Sequence, residues 1–247
     1  MKIENKDFWE KADIIETQEI LITASDFEWF MFEKAKERFK EIGEVKKIKI
    51  FGCGTGREIK PIAQFYNPTQ IVASDISENM IAKCQENLKL WQIDTITETL
   101  VGDATEYNKV FNVFDLVTIL NSMLTYVPLR KDRLTIFKNA NQILKQNATL
   151  IGTVHNQIGT PAKTYYFKLR NLFSFILGEK VGNRNTGFNG FSVLGYYYNK
   201  KGLQKDLTKS GFANIEIYSL EEFYRLQGNN YNRKKGYNNL IFIATKT

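Results

Sequence analysis

Five short stretches of the chain end in residues suited to holding a small polar ligand. Gly52, Gly54 and Gly56 alternate between Phe51 and Arg57, and Asp75 follows nineteen residues after Gly56. Asp103 follows Gly102, Asn121 follows Leu120, and His155, the only histidine, precedes Asn156. Glycine costs roughly 0.5–1 kcal/mol relative to alanine inside regular structure, so three at alternate positions imply positive φ or a backbone that something approaches closely. A glycine turn that opens a helix gathers free N–H groups at the positive end of the helix dipole. A carboxylate at the next strand end, Asp75, can accept both hydroxyls of a ribose. The chemistry these residues offer is the cradling of a nucleoside. The dinucleotide fingerprint needs its third glycine where Arg57 stands, and no Gly-Lys-Ser/Thr follows to make a phosphate loop. No Ser-His-Asp set or metal-spaced Cys/His cluster occurs, so no metal is expected. His155 is the candidate general base, because an ordinary imidazole near pKa 6.5 can deprotonate a hydroxyl. Tyr126 is the second catalytic candidate, and it and the run Tyr196, Tyr197 and Tyr198 are candidates to line a pocket.

The elements that must position these residues alternate. The first 43 residues read as helical: Ser25 and Glu28 have capping-box spacing, and Phe27, Phe30, Met31, Ala35, Phe39 and Ile42 recur at helical intervals before Gly43. Residues 47–51 read as a strand, 57–66 as a helix, 71–74 as a strand and 77–91 as a helix with Met80, Cys84, Leu88 and Trp91 on one face. Strands follow at 97–102, 114–120 and 148–154, with a helix over 130–144 between the last two. This alternation predicts a mostly parallel sheet covered on both faces. Residues 161–198 interrupt it with a helix, a Gly/Asn-rich segment and many aromatics, a length that suggests a lid or binding region. A helix over 201–210 and strands at 213–220 and 238–246 close the sheet as an antiparallel pair.

Composition sets the surroundings. At 247 residues, 43% hydrophobic and 25% charged, the chain is of ordinary globular make-up. No apolar run reaches the ~18–20 residues that span a bilayer, and the N-terminus has no signal-peptide h-region, so no membrane partner is expected. Two cysteines, Cys53 and Cys84, make no disulfide framework and suit a reducing, cytoplasmic setting. The charge is uneven: 15 Lys and Arg against 21 Asp and Glu through residue 120, then 19 against 6. Such a basic half is either a solvated surface or one that draws in an acidic substrate or nucleic acid.

The stretches FGCGTGREI, ASDISENMI, LVGDAT and FDLVTILNSMLTYVP together resemble the class I S-adenosylmethionine-dependent methyltransferases, over about residues 47–156 and more loosely beyond. The resemblance implies an α/β, Rossmann-like, seven-stranded sheet of order 3-2-1-4-5-7-6 with strand 7 antiparallel, and S-adenosyl-L-methionine as cofactor. It implies a helical cap over 1–43 and a cofactor-binding domain over 44–247, one structural unit with the insertion at about 161–198. Gly52, Gly54 and Gly56, with Cys53, would surround the cofactor's methionine part. Asp75 would hold the ribose, with Ile76 and Met80 near the adenine side and Asp103 and Ala104 at the adenine amino group. Leu120 and Asn121 would pass close to the sulfonium. Ile50 stands where many members carry an acidic residue, which removes one anchor for the cofactor's amino-acid end. Asn147 stands in the family's Pro-Gly-Gly turn and tolerates positive φ.

Methyl transfer from a sulfonium needs placement of the acceptor and exclusion of water more than covalent help. The expectation is transfer to an O or N atom of a small molecule, with anionic acceptors favoured by the basic half. The signature of base-amino methylation is missing, since Asn121 is followed by Ser122, Met123 and Leu124. An RNA or protein methyltransferase is the alternative, and a catalytically silent cofactor-binding protein the third reading. Oligomeric state is open.

Overall fold

The computed structural model describes residues 5–19, 23–39, 43–106, 111–188, 191–235 and 238–247. Three helices come first: α1 (Asn5–Trp9), α2 (Ala12–Glu19) and α3 (Asp26–Phe39). Then β1 (Lys47–Phe51), α4 (Ile59–Tyr66), β2 (Gln70–Asp75), α5 (Glu78–Leu90), β3 (Thr97–Val101), β4 (Phe114–Ile119), α6 (Arg130–Ile143) and β5 (Leu144–Val154) alternate. The insertion holds α7 (Pro161–Leu172), α8 (Ser174–Leu177) and the strands β6 (Asn183–Phe188) and β7 (Phe191–Tyr196). The chain ends with α9 (Lys200–Lys209), β8 (Phe212–Ser219), α10 (Leu220–Leu226) and β9 (Leu240–Lys246).

Seven strands form one sheet in the order β3-β2-β1-β4-β5-β9-β8. The first five run parallel, and β9 pairs antiparallel with both β5 and β8. This is the order the resemblance implied. Every residue of β4 is buried, as a central strand covered on both faces requires. Met31, Phe32, Ala35 and Phe39 bury α3 in the same apolar core as the sheet, and Arg38 bonds Thr245 of β9 and pairs with Glu216 of β8. Gly43 ends this run with φ +124°, while the helical position expected at Ile42 lies outside the described residues.

Local signals account for the boundaries around the site. Ser77, at the head of α5, accepts the Met80 N–H on its hydroxyl, and α5 starts there. Asn147 takes φ +63°, the left-handed conformation expected of it in the turn within β5. Two features differ from the sequence reading. The Gly/Asn-rich part of the insertion is a two-stranded hairpin separate from the main sheet, its turn at 189–190 lying outside the described residues. A short helix, α10, follows β8, started by a full capping box between Ser219 and Glu222. Its seven residues are too few for periodicity to reveal.

Candidate functional site

The carboxyl ends of β1, β2, β3 and β4 open into one cavity of about 440 Å³. At its floor the Gly52–Gly56 turn curls back onto β2. Gly52 and Cys53 donate their N–H groups to the Ser74 carbonyl, at 2.8 and 3.0 Å. Asp75 finishes the joint: Oδ2 accepts the Gly54 N–H at 2.8 Å and Oδ1 the Ser77 N–H at 3.0 Å. Burial raises the Asp75 carboxyl above its ordinary pKa, and these backbone donors oppose the rise. Gly52 cannot carry a side chain. Its φ is +69°, and a Cβ there would lie 2.5 Å from Met123 Cγ. Ser74 also lines the cavity and accepts a 2.8 Å bond from Lys49 Nζ, a buried ammonium that desolvation brings down to about 7.

Asp103, Ala104 and Thr105 come to the cavity from the end of β3, and Asn121 and Met123 from the end of β4. Asn121 and Ser122 are successive non-glycine residues at φ +53° and +55°, a costly conformation that concentrates at functional sites. The roof is Trp9 of α1 and Gln18 of α2. Trp9 meets Tyr126 edge-on, ring centroids 4.9 Å apart. Glu10 fixes this roof by accepting the Glu78 and Asn79 N–H groups at the start of α5, at 2.8 and 3.3 Å. Among the described lining residues are three carboxylates, Asp75, Asp103 and Asp132, and no lysine or arginine.

Arg57, which breaks the dinucleotide pattern, has a structural task of its own. Its guanidinium donates to Glu28 Oε1 at 2.5 Å and Oε2 at 3.0 Å, to the Thr23 carbonyl at 3.0 Å and to Asn121 Oδ1 at 3.0 Å. The pair is almost wholly buried, with side-chain exposures of 7% and 2%. Glu28 is the capping-box residue of α3, and it also accepts the Ser25 N–H at 2.7 Å. One ion pair thereby ties the helical cap, the glycine turn and the end of β4 together.

Of the residues singled out from sequence, Gly52, Gly54, Asp75, Ile76, Met80, Asp103, Ala104, Asn121 and Tyr126 line the cavity. Cys53, Gly56, Leu120 and His155 are not among its walls. The Cys53 side chain turns into the core, where a hydrogen bond to Cys84 and then burial push its thiol above the ordinary range. Gly56 is wedged against the same neighbour, since a Cβ there would come 2.9 Å from Cys84 Sγ. Leu120 is wholly buried. His155 needs the larger correction. It packs against Tyr126 and Tyr197, at ring-centroid distances of 6.0 and 5.1 Å, and Nδ1 has no hydrogen-bond partner. Burial, then the nearby Lys163 charge, brings the imidazole down to about 4. It is neutral at physiological pH, a far weaker base than the sequence reading supposed.

Residues 48–147 match a family model described as a methyltransferase domain. A carboxy-S-adenosyl-L-methionine synthase from Shewanella sp. (strain W3-18-1) is 31% identical over 107 residues, 42% of each chain. The match thus spans less than half the length of these curated relatives. A structure of a SAM-dependent methyltransferase from Methanosarcina mazei superposes with a TM-score of 0.62 at 20% identity, covering 83% of this chain and 94% of the other. Phosphoethanolamine N-methyltransferase 2 of Haemonchus contortus, solved with S-adenosyl-L-methionine, gives 0.66 at 19% identity over 99% of this chain and 60% of that one. The fold is that of the class I S-adenosylmethionine-dependent methyltransferases, and residues 48–147 match their methyltransferase domain.

The residues present fit that family's cofactor. Beside Gly54 the backbone is open to close approach, a Cβ there meeting nothing nearer than Met80 Sδ at 4.0 Å, Asp75 presents a fixed carboxylate, and acidic walls suit a sulfonium cation. Ile50, which stands where many members of that family carry an acid, is wholly buried in the apolar core. Trp9, Gln18, Asp132 and Ile136 were missed from sequence. They lie on helices whose periodicity signals a buried face and says nothing of a ligand.

Proposed function

We propose that this methyltransferase moves a methyl group from S-adenosylmethionine to an O or N atom of a small molecule. The observation that carries the reading is the roofed cavity, whose size is within the ~300–1,000 Å³ of small-ligand sites and whose cover comes from α1 and α2. The cofactor, when bound, supplies an electrophilic methyl on a sulfonium. Asp75 accepts the ribose hydroxyls, Asp103 receives the adenine amino group beside Ala104, and Asn121 borders the sulfonium end. Trp9 and Tyr126 exclude water and orient the acceptor against the methyl. With Asp75 and Asp103 engaged by the cofactor, Asp132 is the charged wall left to the acceptor, and with no lysine or arginine among the described walls it favours a neutral or amine-bearing acceptor over the anion suggested by the charge of the C-terminal half. His155 acts as a neutral packing group behind Tyr126.

The test is transfer of labelled methyl from S-adenosylmethionine to pools of small amines, alcohols and carboxylates, with bulk RNA and protein assayed in parallel. Label in an amine or alcohol is the expected result. Label confined to RNA or protein would overturn the small-molecule reading, and no binding of S-adenosylhomocysteine by calorimetry would overturn the site itself.

A further inference from the structure

The face that α7 and α8 turn to solvent is apolar. Tyr165, Leu169 and Leu172 stand four and three residues apart on one face of α7, and with Ile176 of α8 they are 65%, 42%, 68% and 70% exposed. Phe173 and Phe175 beside them are 48% and 81% exposed. The opposite face is the one that the fold uses, with Phe167 and Lys163 buried. A soluble surface seldom shows so many large apolar side chains in one place without a partner.

The border of this stripe is cationic. Residues 164–184 hold four Lys and Arg (Lys168, Arg170, Lys180 and Arg184) and one acid, Glu179, which is held by Arg130 at 3.2 Å. Beside Tyr165 lies a cavity of about 250 Å³ whose charged lining residues are Lys168, Arg233 and Lys234, of which Arg233 is paired at 3.3 Å with Glu221 outside the walls. An apolar stripe edged with lysine and arginine is the pattern of helices that lie in a lipid interface. A symmetric contact with a second copy would set the same cationic border against itself. Anionic headgroups complement it.

We infer that α7 and α8 dock the protein on an anionic lipid surface. The stripe enters the boundary between headgroups and acyl chains, while Lys168 and Lys234 meet lipid phosphates. No helix among the described residues is long and apolar enough to cross a membrane, and the inferred contact lies in the plane of the surface. A chain of rings leads from this face to the cofactor cavity: Tyr166, Phe167, Tyr197, His155 and Tyr126, at centroid distances of 5.0, 5.2, 5.1 and 6.0 Å. The inference stands independently of which acceptor is methylated.

The experiment is sedimentation of the full chain with vesicles of phosphatidylcholine alone, or of equal parts phosphatidylcholine and phosphatidylglycerol, at low and high salt. Partitioning at least about tenfold stronger onto the anionic vesicles, weakened by salt, is expected. Phe175→Ser with Ile176→Ser should lower it at least about tenfold, since fully burying such side chains is a large part of interfacial binding. Both side chains are mostly exposed, so the folded state tolerates the change, and an unaltered melting temperature checks this. Absence of the wild-type protein from the anionic pellet overturns the inference, as does wild-type binding by the double variant. A dimer by light scattering that the double variant turns into a monomer also overturns it and assigns the stripe to self-association.

Discussion

Arg57→Met isolates the joint between the helical cap and the site. Methionine keeps an unbranched apolar stem of similar reach and removes the guanidinium with its four hydrogen bonds, two to Glu28 and one each to Thr23 and Asn121. Glu28 is then a buried carboxylate left with Ser25, whose N–H and hydroxyl donate at 2.7 and 3.0 Å. The charges are 7% and 2% exposed, so solvent screens little of the loss. Removing one member of a buried pair typically costs about 3–5 kcal/mol. The variant should lose an amount in that range by urea denaturation, followed by fluorescence and circular dichroism to check that one transition is seen. Adding Glu28→Gln removes the stranded charge. The double variant should therefore be more stable than the sum of the single losses, with a coupling of about 1–3 kcal/mol. Affinity for S-adenosylhomocysteine should fall as well, because Asn121 loses the donor that holds its side chain at the cavity wall. A single-variant loss below about 1 kcal/mol, the range of exposed pairs, would refute the reasoning. Strict additivity would do the same.

Asp75→Ala should weaken S-adenosylhomocysteine binding by about 1.5–3 kcal/mol, the loss expected for hydrogen bonds to a charged group. Calorimetry on the folded variant checks it, and unchanged affinity would remove Asp75 from the site. Glu58 is wholly buried, with neither carboxylate oxygen hydrogen-bonded, and desolvation raises it to about 7. Its folded pKa lies above the ordinary 4.5, so its contribution is present at low pH and lost as pH rises from about 4.5 through 7. That loss is on the order of 3 kcal/mol from the shift alone. Glu58→Gln should accordingly melt higher than wild type at pH 8 and no higher near pH 4.5, and equal differences at both would contradict the assignment. His155 is shifted the other way, to about 4, so its neutral form favours folding above pH 6.5 and that contribution is lost as pH falls toward 4. His155→Asn should leave the shape of the pH–rate profile unchanged between pH 6 and 8. A limb near 6.5 that disappears in the variant would restore it as general base.

The sheet and most of the cavity wall were legible because they are written locally. A strand, a glycine turn and a helix lie within twenty residues from Lys47 to Tyr66, and each later strand announces its end with a polar residue. Asp75, Asp103 and Asn121 follow from that rule, since parallel strands in register deliver their carboxyl ends to one edge. The rule fails where backbone direction and side-chain direction part. Leu120 and Asn121 are adjacent at the same strand end, yet alternation sends Leu120 into the core and Asn121 to the cavity. Cys53 and Gly54 divide in the same way within the turn.

His155 shows a second limit. Its place at the end of β5 was read correctly, but a base needs solvent or a carboxylate to support its charge, and neither is encoded beside it. What surrounds it is aromatic: Tyr197 arrives from the far end of the insertion and Tyr126 from the turn after β4. Those neighbours are 42 and 29 positions away, so no window of sequence shows the environment that fixes its pKa. Glu28 is the converse case. Its spacing from Ser25 was visible as a helix cap, a local reading that is correct and incomplete, because the same carboxylate also binds Arg57. Only the fold shows that the capping residue of α3 and the residue after the third glycine neutralise each other. Arg57 is thereby more than a departure from a dinucleotide motif: its charge holds the roof's supporting helix to the floor of the site.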